Sequence, residues 1–202
     1  MGWFGSAPRW DEVTYWALDL ETGGLSARSD PILAVGMVPI RGGTIRLGES
    51  YSTLVRPPRH MAIDPGSVRA HQLVPAELED APRLPDVLPE VDRRLREGVL
   101  LVHHQLIDVA FLKRAYERVG LRWPAPRVVD TVDLLVRAAR RARFATPHAP
   151  DDLPPLKLPD ARAAHGLPEY QAHDALTDAV SAAELFLVLR ARLGVRTLRD
   201  LR

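Results

Sequence analysis

Tyr15-Trp16-Ala17-Leu18-Asp19-Leu20-Glu21-Thr22-Gly23 runs an apolar stretch into two carboxylates spaced by one residue. Residues 13–21 read as a central β-strand. Side chains alternate faces along a strand, so Asp19 and Glu21 point the same way. Two carboxylates held about 4 Å apart at an effective dielectric near 20 repel by roughly 4 kcal/mol. That cost calls for a compensating cation, and a hard divalent metal ion suits an all-oxygen site. The competing reading is a solvated strand end whose acids face water. The rest of the chain decides between the two.

Working outward, residues 1–12 form a leader containing Trp3, Phe4 and Trp10. Asp30-Pro31 breaks the chain, and 32–40 reads as a second strand. Arg41-Gly42-Gly43-Thr44 is a turn signal, so 45–55 is expected to pair back as a hairpin. The proline-rich stretch 56–83 leaves room only for short helical turns. Val87, Leu88, Val91 and Leu95 recur at helical spacing within 86–97. Val99-Leu100-Leu101-Val102 is a buried strand, and a helix is expected over 108–119, ended by Gly120. Val128-Val129 precedes a helix over 131–142, the five prolines of 145–159 predict a loop, and 174–193 is the longest helix, stopped by Gly194. Strands first, then alternating helix and strand, is an α/β pattern with a mixed sheet. One domain over 13–194, with a tail over 195–202, accounts for the chain.

Composition removes several chemistries. The 202 residues include no Cys, which excludes disulfides, zinc–thiolate sites and thiol nucleophiles. Lys plus Arg number 27 against 26 Asp plus Glu, so net charge does not select a polyanionic partner. Arg137, Arg140, Arg141 and Arg143 are nevertheless crowded together. They suit either a phosphate backbone or the negative end of their own helix. No apolar run is long enough to span a membrane, and no secretory signal opens the chain, so a cytoplasmic protein is expected.

Two further segments carry acids. In His103-His104-Gln105-Leu106-Ile107-Asp108 a buried strand runs into a loop, and Asp108 stands where a helix is expected to open. Asp is a favoured helix cap, and the carboxyl ends of strands are where α/β proteins build sites. In His173-Asp174-Ala175-Leu176-Thr177-Asp178, Asp174 can cap the long helix, leaving His173 just outside it and Asp178 one turn in. Asp178 lies on an alanine-rich, close-packed stretch where a charge needs a partner.

Taken together, the three segments resemble the DEDDh family of 3′–5′ exonucleases, which includes proofreading epsilon subunits, ribonuclease T and oligoribonuclease. Asp19-Leu20-Glu21-Thr22-Gly23-Gly24-Leu25 is similar to the first family motif, Asp-x-Glu-Thr-Gly. The second, His-Asn-x-x-Phe-Asp, is matched at Asp108 but has His104 and Ile107 at its Asn and Phe positions. His173 followed five residues later by Asp178 matches the third. Ile63 through Leu73 resembles the segment ending Val-His-Gly-Ile, with His71 at the His and Gln72 in place of Gly, and Asp130-Thr131 resembles the Asp-Thr element.

The resemblance implies a ribonuclease H-like fold, a mixed five-stranded sheet with flanking helices. It implies that Asp19, Glu21, Asp108 and Asp178 hold two Mg²⁺ or Mn²⁺ ions and that His173 is the general base. Thr22, Gly23, Gly24, Leu25, His71 and His104 are the residues it implies for substrate contact. The expected substrate is nucleic acid with a free 3′ end, DNA favoured over RNA, with a DNA polymerase as a further partner. An exoribonuclease or oligoribonuclease, or a non-catalytic polymerase accessory module, is the alternative.

Overall fold

The computed structural model describes residues 7–145, 153–170 and 174–201. Its centre is β1 (Tyr15–Thr22), which pairs antiparallel with β2 (Ile32–Arg41) on one side and parallel with β5 (Val99–Val102) on the other. β6 (Val128–Asp130) adds in parallel to β5. The outer edge of β2 takes two short strands, β3 (Thr44–Ile45) and β4 (Tyr51–Leu54). The sheet is therefore mixed and runs β3-β2-β1-β5-β6, with β4 also on β2. The hairpin partner expected over 45–55 is one edge interrupted by a 3₁₀ turn at Leu47–Glu49, which makes six strands where five were expected.

The sheet's pleat sorts its side chains into two cores. Tyr15 and Ala17 of β1, with Val38 and Ile40 of β2, pack under α5 (Thr131–Ala145), α6 (Leu158–Ala164) and α7 (Ala175–Arg192). Trp16, Leu18 and Leu20, with Val35 and Met37, pack under α3 (Leu84–Glu97) and α4 (Gln105–Val119). Asp19 and Glu21 continue the row of Tyr15 and Ala17, so they face α7. Between β4 and α3 lie two short helices, α1 (Pro65–His71) and α2 (Pro75–Leu78). Trp10 is buried and meets Phe186 of α7 edge-on.

Two local expectations are corrected. Helix α4 starts at Gln105, three residues before Asp108, so Asp108 lies in its first turn and does not cap it. Its first amides are satisfied from the next strand: the Asp130 carboxylate accepts from the backbone N–H of His104 at 3.1 Å and of Gln105 at 2.8 Å. Helix α6 occupies part of the stretch expected to be loop, with Pro159 at its second position, where a missing N–H costs nothing. In the tail, Leu198–Leu201 form a 3₁₀ turn with Leu201 buried. Among the described residues no helix is long and apolar enough to cross a membrane.

Candidate active site

β1 ends in the site. Asp19 sits opposite Gly36 and Glu21 opposite Ala34, with a register shift just after Glu21. Helix α7 descends onto this end of the sheet, capped by Asp174, whose side chain accepts from Thr177 N–H at 2.8 Å. One turn in, Asp178 faces the strand. Asp19, Glu21 and Asp178 each bring a carboxylate oxygen to within 4.8 Å of the others. The fourth acid, Asp108, arrives from the opposite layer on α4 and is 5% exposed. It stands beside that trio, close enough for its charge to act on Asp19.

The electrostatics follow from burial and like charge. Burial, and then the charges of Asp108, Glu21 and Asp178, raise the Asp19 carboxyl well above the ordinary range. Asp108 is raised by burial, then by Asp130 and Glu21. Glu21 is pushed up to about 7 by burial, then by Asp178 and Asp174. Among the described residues neither Asp19 nor Glu21 has an Arg or Lys partner. Converging hard oxygen donors that repel one another fit a divalent ion.

The flanking residues sort into rim and frame. Leu25, four residues beyond Glu21, is 87% exposed, and His104 is exposed at the head of α4. The Thr22 hydroxyl donates to Gly24 C=O at 2.7 Å. A Cβ on Gly23 would meet Pro31 at 2.7 Å, and one on Gly24 would meet the Asp30 carboxylate at 2.2 Å. The glycine pair thus lets its own loop close, a different reason from the nucleotide approach that sequence suggests. His71 is buried at the end of α1, its Nδ1 accepting from Leu73 N–H at 3.0 Å. His173, expected as the base, lies outside the described residues.

His103 is a frame residue. Its Nε2 lies 2.8 Å from Leu156 C=O and its Nδ1 2.6 Å from Thr131 Oγ1. A carbonyl only accepts, so Nε2 carries the proton and Nδ1 accepts from the hydroxyl. Burial pushes this imidazole down to about 4, which keeps it neutral and removes it as a proton shuttle. It pins the chain just before α6 to the sheet.

Sequence reasoning assigned no structural role to three residues of the frame. Asp130 holds the turn that delivers α4. Arg162, 3% exposed on α6, donates to Ser181 C=O at 2.8 Å and Pro168 C=O at 2.9 Å and pairs with Glu184 at 2.8 Å. It thereby ties α6 and the following segment to α7, with the Tyr170 ring over its guanidinium at 4.6 Å. Gly36 was readable: a glycine inside the apolar run Ile32–Ile40 signals close backbone approach.

The arginine cluster is elsewhere. Arg141 donates to Leu193 C=O at 2.6 Å and Arg137 to Asp200 C=O at 2.8 Å. Leu193 is the C-cap of α7, about 22 Å along the helix axis from Asp178. Arg141 thus satisfies a carbonyl at the end of α7 and Arg137 one in the 3₁₀ turn Leu198–Leu201, neither at the end of their own helix; these contacts favour a structural part over contact with substrate at the acids.

Comparison with known proteins bears on the whole arrangement. Residues 16–186 match the family model RNase_T, described as Exonuclease. A DNA polymerase III subunit epsilon-like protein of Rhodobacter capsulatus is 33% identical over 189 residues, 93% of this chain and 25% of that protein. A PolC-type DNA polymerase III of Thermotoga maritima is 27% identical over 194 residues, 94% of this chain and 13% of that protein. The chain thus spans a quarter or less of these relatives. Among solved structures, E. coli Exonuclease I in complex with a dA16 oligonucleotide superposes with a TM-score of 0.75 at 18% identity, covering 90% of this chain and 42% of that one. At that identity the likeness speaks for the fold.

Proposed function

The chain belongs to the RNase_T family of exonucleases, and from that premise we propose that it is a metal-dependent 3′–5′ exonuclease. It would release nucleoside 5′-monophosphates from a free 3′ end. The observation that carries this reading is the meeting of Asp19, Glu21 and Asp178 within 4.8 Å, with buried Asp108 beside them. These four would hold two divalent ions, Mg²⁺ or Mn²⁺. Such ions, when bound, stabilise the attacking and leaving oxygens of an in-line displacement and acidify a bound water.

The chain's own residues would do the rest. The acids fix where the scissile phosphate sits. His173, next to the Asp174 cap and five residues before Asp178, would accept the proton of the attacking water, a task suited to an imidazole. Leu25, exposed at the rim, offers an apolar surface to the terminal base. Single-stranded DNA is the preferred substrate, since polymerase III relatives and an oligonucleotide-bound exonuclease are among its likenesses. A proofreading or repair role beside a polymerase, in the cytoplasm, goes with that substrate. A non-catalytic accessory module would have no need of four converging acids.

The test is digestion of 3′- and 5′-labelled DNA and RNA oligonucleotides, with Mg²⁺, Mn²⁺ or EDTA. Hydrolysis should vanish in EDTA and should need a free 3′ hydroxyl; turnover in excess chelator, or equal rates on a closed circle, would defeat the reading. His173→Ala should lower kcat by about 10²- to 10⁴-fold and leave Mn²⁺ binding in place. A His173→Ala enzyme with full kcat would remove that residue as the base.

A further inference from the structure

Helix α7 touches the sheet most closely at Gly36. A Cβ built there would stand 2.1 Å from the carbonyl carbon of Ala175, 2.2 Å from its oxygen and 2.3 Å from Leu176 N. All three atoms are helix backbone, so no change of rotamer makes room, and close-packed interiors do not absorb such an overlap. Gly36 is the residue directly opposite Asp19 in the β1–β2 ladder, and opposed residues share a face. Ala175 opens α7, and Asp178 follows three residues later on the same side of the helix. The closest approach of helix and sheet therefore lies beside the point where Asp178 meets Asp19 and Glu21.

We infer that Gly36 is a positioning residue for the metal site. Its missing side chain sets the height at which the first turn of α7 rests on β2, and that height brings the Asp178 carboxylate within 4.8 Å of Asp19 and Glu21. A methyl group at this position lifts the helix by roughly 1 Å, the scale of misplacement that costs about 10²-fold in rate. The inference rests on the reading of these acids as a metal site.

A second glycine supplies the control. A Cβ on Gly98 would stand 2.2 Å from Thr14 C=O, an equally tight fit. Gly98 precedes Val99, which pairs with Tyr15 at the start of β1, the opposite end of the strand from Asp19. Gly36→Ala and Gly98→Ala can be compared with the unaltered protein by thermal melting, by calorimetric titration of EDTA-treated protein with Mn²⁺, and by kcat and KM on a labelled single-stranded oligonucleotide. Both substitutions should lower Tm. Only Gly36→Ala should weaken Mn²⁺ binding, by about 10-fold or more, and cut kcat by about 10²-fold with KM little changed. A folded Gly36→Ala protein with undiminished Mn²⁺ affinity and kcat would overturn the inference. So would equal losses in Gly98→Ala, or a Gly36→Ala chain that fails to fold when Gly98→Ala folds, since the glycine would then serve the core. Failure of the unaltered protein to bind Mn²⁺ is a separate result: it would remove the metal-site reading, and this inference with it.

Discussion

Two departures from the family motifs fall at the same kind of backbone position. Gln72, where the family segment has Gly, is the C-cap of α1 with φ 60°, and His104, where the family has Asn, precedes α4 with φ 72°. Both are in the left-handed region, which glycine enters freely and Asn, Asp and His tolerate. Gly and Asn suit such a backbone, and of this chain's two replacements His104 tolerates it while Gln72 is strained. Gln72→Gly should relieve a strain of about 1–2 kcal/mol, offset in part by the greater freedom of the unfolded chain. The expected net gain is about 0.5–1 kcal/mol, or roughly 1–4 °C in Tm. A lower Tm would assign the Gln72 side chain a contact of its own. Glu21 supports a second test. Its folded pKa, about 7, lies above its ordinary value of 4.5. The folded state therefore holds a proton that the unfolded state releases, and the metal-free protein loses stability as pH rises from 4.5 toward 7. In EDTA, the Tm advantage of Glu21→Gln over the unaltered protein should be small at pH 5 and larger at pH 8. Saturating Mn²⁺ should abolish or reverse that advantage. An advantage that does not grow with pH in EDTA would mean the carboxyl is not held protonated.

At the scale of elements, what could be read from sequence was what local pattern encodes. The apolar run into Asp19 and Glu21, the spacing within 86–97, and the Gly120 and Gly194 stops all mark elements found in the structure. What escaped depends on distant partners. The start of α4 was placed late because its amides are satisfied by Asp130 on β6, about twenty-five residues on. Helix α6 was missed because prolines were read as breakers, although Pro159 occupies a first-turn position that tolerates it. Arg137 and Arg141 of α5 likewise find their partners outside their helix. Arg141→Ala should remove one charge-assisted hydrogen bond at the end of α7, lowering Tm by a few degrees, on the order of 1 kcal/mol. The salt dependence of KM should keep its slope. A flatter slope with unchanged Tm would return Arg141 to the path of the nucleic acid.

The whole molecule is a mixed sheet between two helical layers, with its acids gathered from both layers at one end of the central strand. The three motifs made that gathering legible, because each carries its acid at a recognisable distance from a strand or helix end. Much of the frame around it was not legible: Arg162 and Asp130 act through contacts that no local pattern records, whereas the glycine inside the apolar run Ile32–Ile40 does signal a close approach. One feature of the frame concerns neither metal nor substrate. Leu198 N–H donates to Pro8 C=O at 2.9 Å, Trp10 N–H donates to Arg196 C=O at 3.1 Å, and Arg9 bridges Thr197. The polypeptide thus enters and leaves the fold through a single doorway, on adjacent antiparallel threads. Joining Ala7 to Leu201 through a short flexible linker, which keeps the 3₁₀ turn and its buried Leu201, and opening the chain at the Gly42-Gly43 turn, should give a permuted protein that folds and keeps its Mn²⁺ affinity; loss of both would show that the order of threading matters. A host polypeptide could carry this unit as a side loop, its own ends scarcely displaced, at almost no entropic cost of closure.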